Sequence, residues 1–572
     1  MDRLPQLAQE MREAICEQVK KSGGHLAPNL GVIELTIAMH YVFDFAHDRL
    51  LFDVGHQCYP HKLLTGRQSM LGALRTREGM AGFPEPRESP FDLFSVGHAG
   101  TGISTAVGMA RGDSLNGEGP DTKDSISRRT AVVIGDASIV NGLAMEGLNA
   151  AGMLKRQFLV VLNDNGMSIS KPQGAISHYF DRLRISQSYT DFKKRAKDAL
   201  NNMPGGGLVR DAYHWWGEAA KKATHNTDIQ SGWFEGFGLK TVGPIDGHDF
   251  PTLIAFLREA RDFDRPLVLH VKTIKGKGYD FSEKDSSRFH SPAPFKIDPQ
   301  LDEEGCRVEI KSEGRSFTSA FGDALLDLMD RDPRIVACTA AMPDGTGISK
   351  PLAKYPERTF DTGICESHAM DMMAGLAKTG WKPFFAVYST FLQRAFDQAF
   401  QEVALQGLPV RLCLDRAGLV GGDGAVHHGF CDISILRTLP NAVLTAAADE
   451  PSLKAALEFM RTYDTGLSAV RYPRDTVTEM LLGEACPAFE LGKARCLSKG
   501  YEWLSDLEGH ASEKRAKLPD LAVLGFGTSA IDALKAAAMV GEDLKVAVWD
   551  ARFAKPVDVE LITSLLTRRI PI

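Results

Sequence analysis

Residues 129–138 read RTAVVIGDAS, and residues 157–167 read QFLVVLNDNGM. Each stretch opens on a short apolar, β-branched run and closes on small polar residues. A continuous apolar run of this length predicts a strand buried on both faces of a parallel sheet. The amphipathic residues between the two runs supply a crossover helix, so the pair predicts one strand–helix–strand unit with both strand ends on the same sheet edge. Asp136 and Asn165, twenty-nine residues apart, then sit at neighbouring strand ends. A carboxylate and an amide carbonyl offer hard oxygen ligands of the kind Mg²⁺ takes, and backbone N–H groups after Asp136 suit diphosphate oxygens. Spacing alone leaves the plainer reading equally open, in which both residues cap helices or form Asx turns.

The same alternation runs outward from this unit. Pro266–Val271, Leu408–Leu414 and Leu521–Gly525 repeat the strand-like pattern, separated by amphipathic stretches, which predicts an α/β chain with mainly parallel sheets. At 572 residues the chain is long enough for three domains. Polar, aperiodic Pro292–Arg315 reads as an interdomain linker, and charged Cys486–Leu518 as a second break. The predicted domains are 1–305, 313–480 and 488–572. Within the first, a segment over about 166–243, with Met203–Gly207 (MPGGG) and cationic Lys193–Lys197, reads as a mobile insertion over the active face.

Composition excludes several classes. A net charge of −7 argues against nucleic acid or a polybasic membrane surface, and the chain lacks an apolar run long enough to cross a bilayer. Met1–Pro5 lacks a signal-peptide profile, and nine scattered cysteines without a CxxC pair predict reduced thiols in a cytoplasm. Gly-x-Ser-x-Gly and His-Glu-x-x-His are both missing.

GD followed by NDN resembles the thiamine-diphosphate motif of the transketolase superfamily. Further stretches resemble, more closely, the 1-deoxy-D-xylulose-5-phosphate synthase family: Gly24–Ala27 (GHLA), Asp53–Lys62 (DVGHQCYPHK), Leu162–Ser170 (LNDNGMSIS), Gly276–His290, Tyr388–Gln398 (YSTFLQRAFDQ) and Asp415–His427. The resemblance implies a transketolase-like fold with a diphosphate-binding domain at 1–305, a pyrimidine-binding domain at 313–480 and a C-terminal domain at 488–572. It implies a decarboxylating condensation of pyruvate with D-glyceraldehyde 3-phosphate, the first step of non-mevalonate isoprenoid synthesis, which also feeds thiamine and pyridoxal synthesis. Thiamine diphosphate and Mg²⁺ are the implied cofactors, and a cytoplasmic homodimer with its cofactor cleft between the first two domains is the implied assembly.

Residue by residue, the resemblance makes Glu366 the acid beside the aminopyrimidine and Phe391 the ring stacked on it. Proton traffic falls to His25, His56, His290 and His427, whose ordinary pKa lies near working pH. Cofactor contacts are His56, Gly97, His98, Ala99, Ala137, Ser138, Asn165 and Tyr279. The metal ligands are Asp136, Asn165 and the Met167 carbonyl. Arg416 and Arg474 are the acceptor's phosphate anchors, joined by Tyr388, Arg394 and Asp423 around the substrate.

Three departures accompany the resemblance. Ala137 stands where the family has glycine, a strain of about 1–2 kcal/mol if that position needs a positive φ. Ser367 replaces glutamine in the EQHA segment. The chain stops at Ile572 where the family continues, so a shortened third domain is expected. A transketolase-type ketol transferase, or a weakened paralogue that binds thiamine diphosphate in a regulatory role, are the alternative readings.

Overall fold

Strands Arg49–Phe52 (β1), Thr130–Gly135 (β2), Phe158–Asp164 (β3), Lys240–Asp246 (β4) and Pro266–Lys272 (β5) form one sheet in the order β1-β2-β3-β5-β4, with every pair parallel. The period-2 alternation divides their side chains between two cores. Ala131, Val133, Leu159, Val161, Leu267 and Leu269 face the helices Leu4–Ser22, Ile33–Val42 and Phe250–Asp262. Val132, Ile134, Phe158, Val160, Leu162 and Val268 face the helices Gly102–Leu115 and Gly142–Ala151. Burial on both faces is why the runs at 129 and 157 carry no polar alternation.

The computed structural model describes residues 1–118, 127–167, 175, 232–302, 305–310, 314–477, 485–505, 518–541 and 544–572. They divide into two units: Met1–Lys311 with Gly422–Val426, and Ser312–Gly421 with His427–Ile572. The first unit holds the sheet above. Most of the insertion expected over 166–243, including Lys193–Lys197 and Met203–Gly207, lies outside the described residues. Its expected end requires correction, because β4 begins at Lys240 and belongs to the sheet.

The expected linker Pro292–Arg315 is also corrected. Phe295–Asp302 (β6) and Gly305–Ile310 (β7) pair antiparallel as a hairpin. Phe295 and Val308 insert into the core beneath the helix Leu4–Ser22, so two apolar anchors hold a segment whose polar composition masks them.

The second unit is built on Ile335–Thr339 (β8), Thr359–Asp361 (β9), Lys382–Tyr388 (β10), Arg411–Asp415 (β11), Val443–Ala446 (β12) and Ser468–Arg471 (β13). These are parallel throughout, in the order β12-β13-β11-β10-β8-β9. Arg495–Cys496 (β14), Leu521–Gly525 (β15) and Val546–Asp550 (β16) make a three-stranded sheet in the order β14-β16-β15 with its own core around Trp549, Leu561 and Leu565. Phe553–Lys555 (β17) leaves that core and pairs antiparallel with β12, a register in which Thr445 faces Phe553. Among the described residues, no helix is long and apolar enough to cross a membrane.

Candidate active site

Asp136 follows β2 directly, and β2 pairs with β3 so that Gly135 lies opposite Asn163. Adjacent carboxyl ends of parallel strands are where open α/β sheets place ligands. Asp136 is buried, and its Oδ2 accepts the Gly166 N–H at 3.1 Å. Asn165 Oδ1 accepts the Met167 N–H at 3.0 Å, an Asx turn that fixes the backbone next to Gly166. Ser138 is buried and its N–H donates to the Gly135 carbonyl at 3.0 Å. Ala137 is not among the residues with a positive φ, so the strain expected there does not arise. Alanine is tolerated because the backbone at this position suits any residue.

The histidines expected in the first unit come together. Ring centroids lie 5.7 Å apart for His25 and His56, 5.9 Å for His25 and His290, and 5.2 Å for His56 and His290. Phe83 packs edge-on against His25 at 5.1 Å. Burial drives the His290 imidazole well below its ordinary value, helped by Lys275, His56 and His25. Its Nδ1 is buried with no hydrogen-bond partner among the described residues.

Asn29, which carries no motif signal of its own, fixes two of these histidines. Its fully buried amide donates to the His25 carbonyl at 2.7 Å and the His56 carbonyl at 2.8 Å, and accepts the Tyr59 N–H at 2.8 Å. Asp53 does the same for the Gly97–Ala99 turn: its carboxylate accepts the N–H groups of Gly100 and Gly102, each at 2.9 Å. A side chain at Gly100 would meet Asn141 at 2.5 Å, and its φ of +85° also selects glycine. In that turn His98 Nε2 donates to the Val426 carbonyl at 2.9 Å. Asp423 is ion-paired with Arg75, whose Nε donates to the Gly422 carbonyl at 3.1 Å. Arg75 therefore engages the residue expected at substrate hydroxyls.

Lys275 is a further residue that motif reading missed. It is buried, and desolvation brings its ammonium down to about 8 against the opposing pull of Asp136. Tyr279, in the same loop, packs 5.5 Å from Phe281.

In the second unit Glu366 opens the helix Glu366–Lys378 and is 3% exposed. Burial raises its carboxyl above the ordinary value, while Arg394, with Nη1 3.2 Å from Oε2, pulls the other way. Arg394 thus pairs with the expected acid. Ser367, the residue in place of glutamine, donates to the Arg394 carbonyl at 2.7 Å and so orients the same arginine. Tyr388 and Phe391 stack at 5.5 Å, and His427 stands edge-on to Phe391 at 5.7 Å. Arg416 follows β11 with a φ of +58° and lies 4.3 Å over the Tyr388 ring. Its Nη1 donates to Asp415 at 2.7 Å, Thr318 at 2.9 Å and the Gly345 carbonyl at 2.6 Å. Arg474 lies beyond the end of β13 on an exposed loop.

Family models match in sequence order: 1-deoxy-D-xylulose-5-phosphate synthase over 1–273, the transketolase pyrimidine-binding domain over 313–479, and the transketolase C-terminal domain over 509–570. Parallel sheets flanked by helices, joined to these matches, define a transketolase-type enzyme. The 1-deoxy-D-xylulose-5-phosphate synthase 1 of Geobacter metallireducens is 42% identical over 565 residues, covering 98% of this chain and 84% of its own. The 1-deoxy-D-xylulose-5-phosphate synthase of Rhodobacter capsulatus is 42% identical over 568 residues, covering 98% of this chain and 82% of its own. The chain belongs to the 1-deoxy-D-xylulose-5-phosphate synthase family. Among solved structures, transketolase from Leishmania mexicana aligns at 17% identity with a TM-score of 0.37, covering 96% of this chain and 86% of its own; the fold assignment rests on the sheets and the domain matches instead.

The family is thiamine-diphosphate-dependent, and the residues present suit that group. Asp136 and Asn165 offer oxygens to a cation, Lys275 offers a buried ammonium that feels Asp136, and the His290 Nδ1, without a partner among the described residues, can meet a ligand atom. In the second unit the buried Glu366 carboxyl can hydrogen-bond a ring nitrogen.

Proposed function

We propose that this enzyme condenses pyruvate, with loss of carbon dioxide, and D-glyceraldehyde 3-phosphate to 1-deoxy-D-xylulose 5-phosphate. The observation that carries the reading is the β2–β3 register, which sets the Asp136 carboxylate against the Asn165–Met167 turn. Asp136, Asn165 and the Met167 carbonyl hold Mg²⁺, with His98, Ala99, Ala137, Ser138 and Lys275 around the diphosphate. Bound thiamine diphosphate supplies the electron sink that lets pyruvate lose its carboxylate.

The chain's own residues position and move protons. Glu366 holds a hydrogen bond at the aminopyrimidine, its carboxyl raised by burial and opposed by Arg394. Phe391 supports the same ring. His25, His56 and His290 line the path for proton exchange with substrate oxygens, and His427 serves from the second unit. A buried, uncharged imidazole such as His290 can accept a proton that a protonated one cannot. Arg416 and Arg474 anchor the acceptor phosphate through charge-assisted hydrogen bonds, beside Tyr388. Asp423, oriented by Arg75, meets acceptor hydroxyls.

The domain reading belongs to the same proposal: a diphosphate-binding domain, a pyrimidine-binding domain and a C-terminal domain, in a cytoplasmic homodimer. Its product enters isoprenoid synthesis and feeds thiamine and pyridoxal synthesis. The ordinary backbone of Ala137 removes the strain argument for a weakened paralogue.

Turnover with both substrates tests the reading. Expected is release of one carbon dioxide per ketose phosphate formed, dependent on added thiamine diphosphate and Mg²⁺. Ketol transfer from a sugar phosphate without pyruvate consumption favours the transketolase-type alternative.

A further inference from the structure

We propose that Glu34, acting through Arg12 and His248, is a positioning residue that aims the Lys275 ammonium at the anion bound beside Asp136. The inference rests on the reading of that site as a diphosphate site.

Glu34 lies on the helix Ile33–Val42 and is 8% exposed. It binds two cationic or cation-capable side chains from other elements. Arg12 Nη2, from the helix Leu4–Ser22, lies 2.5 Å from Oε1, and His248 Nδ1, just past β4, lies 3.0 Å from Oε2. Burial alone raises the Glu34 carboxyl, but the His248 hydrogen bond and the Arg12 guanidinium overcome it and hold the group ionised.

Each partner then spends its remaining capacity on one loop. His248 Nε2 accepts the Ile274 N–H at 2.8 Å, which assigns the ring proton to Nδ1 and the donation to Glu34. Arg12 Nε donates to the Lys277 carbonyl at 2.9 Å. The two contacts clasp the backbone on either side of Lys275. Between them the Gly276 N–H donates to the Ala27 carbonyl at 2.9 Å, and a side chain at Gly276 would meet the Ser282 carbonyl at 2.4 Å. The Thr273 N–H, two residues before Lys275, donates to the Asp164 carbonyl at 2.9 Å. The loop is thus held at consecutive points, and Lys275 leaves it into a buried environment where it feels Asp136 and acts on His290.

A buried ion pair bonded to a neutral imidazole is a poor source of stability, because desolvation consumes most of what pairing returns. What this trio supplies is geometry. A hydrophobic replacement packs as well but leaves the Ile274 N–H and the Lys277 carbonyl without the partners that set the loop's height. Since Glu34 touches neither loop atom itself, its influence on the site passes through the two side chains it orients.

The test is a double-mutant cycle read by thiamine diphosphate binding in the presence of Mg²⁺, by titration of intrinsic fluorescence, on full-length protein. His248→Ala removes the loop contact and weakens binding about tenfold, the size typical of outer partners that orient ligating groups. His248→Gln, which can donate to Glu34 and accept from Ile274, restores binding to within about threefold of the parent. In a Lys275→Met background, His248→Ala costs nothing further, because the group it positioned is gone. Should His248→Ala fail to fold, Glu34→Gln enters the same cycle with the same expected non-additivity. An equal loss in both backgrounds overturns the proposal and leaves the functional reading standing. A parent that binds no thiamine diphosphate overturns both.

Discussion

The first unit gathers imidazoles, whereas the second gathers carboxyls with guanidinium partners, and burial acts on the two sets in opposite senses. Near His25 and His56, burial favours the uncharged ring and sends His290 well below its ordinary value. Near Phe391, burial favours the uncharged acid and sends Glu366 upward, but Arg394 stands 3.2 Å away and opposes it. Desolvation therefore makes His290 a base that is ready at neutral pH, and makes Glu366 an acid whose proton is contested.

The sharpest break of this contrast is Glu366→Gln. It keeps the volume and a hydrogen-bonding oxygen but removes the titrating group, and turnover is expected to fall by about 10²–10⁴-fold, measured as carbon dioxide release. Acceptor affinity is spared. Asp136→Ala, in the other unit, acts before chemistry: thiamine diphosphate affinity in the presence of Mg²⁺ is expected to fall about a hundredfold, measured by titration. Unchanged affinity refutes the metal assignment.

The two arginines separate anchoring from structure. Arg474 is exposed, so Arg474→Ala is expected to raise the KM for glyceraldehyde 3-phosphate about tenfold with an unchanged melting temperature. Arg416→Ala should raise the same KM and also destabilise the fold by about 3–5 kcal/mol, because Asp415 is fully buried and loses its counter-charge. A parent-like KM in both variants places the phosphate site elsewhere.

Acid titration sharpens the contrast further, with opposite signs. His290 is depressed below its ordinary 6.5, so its stabilising contribution is present above about pH 6.5 and is lost as the pH falls, at up to about 1.4 kcal/mol per pH unit. Asp550, in the three-stranded sheet, is raised by burial from 3.8 to about 6. Its contribution is present below about pH 4 and lost as the pH rises through about 6, amounting to about 3 kcal/mol. Urea midpoints from pH 4 to 7 for His290→Asn and Asp550→Asn, each against the parent, should flatten the corresponding slope and leave the other intact. The smallest effect belongs to Ala137→Gly. With no positive φ to relieve, thiamine diphosphate affinity is expected to change by less than about twofold.

Sequence alone determined the parts that short-range physics writes into a few consecutive residues. The run Leu521–Gly525 is strand β15 residue for residue, and the runs at 129 and 157 differ from β2 and β3 by one or two residues at their ends. Their two-sided burial leaves an unbroken apolar signature. The family resemblance marked His25, His56 and His290, and the fold brings them within 6 Å of one another by ring centroid. Tertiary structure decided what depends on a distant partner. Pro292–Arg315 looked like a linker because a hairpin that lays one edge on a core needs few apolar residues, here Phe295 and Val308 with Ile297 and Ile310 beside them. Arg394 is expected at the substrate, and only the fold shows that it also pairs with Glu366, twenty-eight residues away in the chain. Asn29, Arg75 and the Arg12–Glu34–His248 trio carry no local signature, and Asp53 opens the DVGHQCYPHK stretch without revealing its partners. A buried polar group is distinguished by what satisfies it, and those partners, from Gly102 to Lys277, are assembled only when the chain has folded.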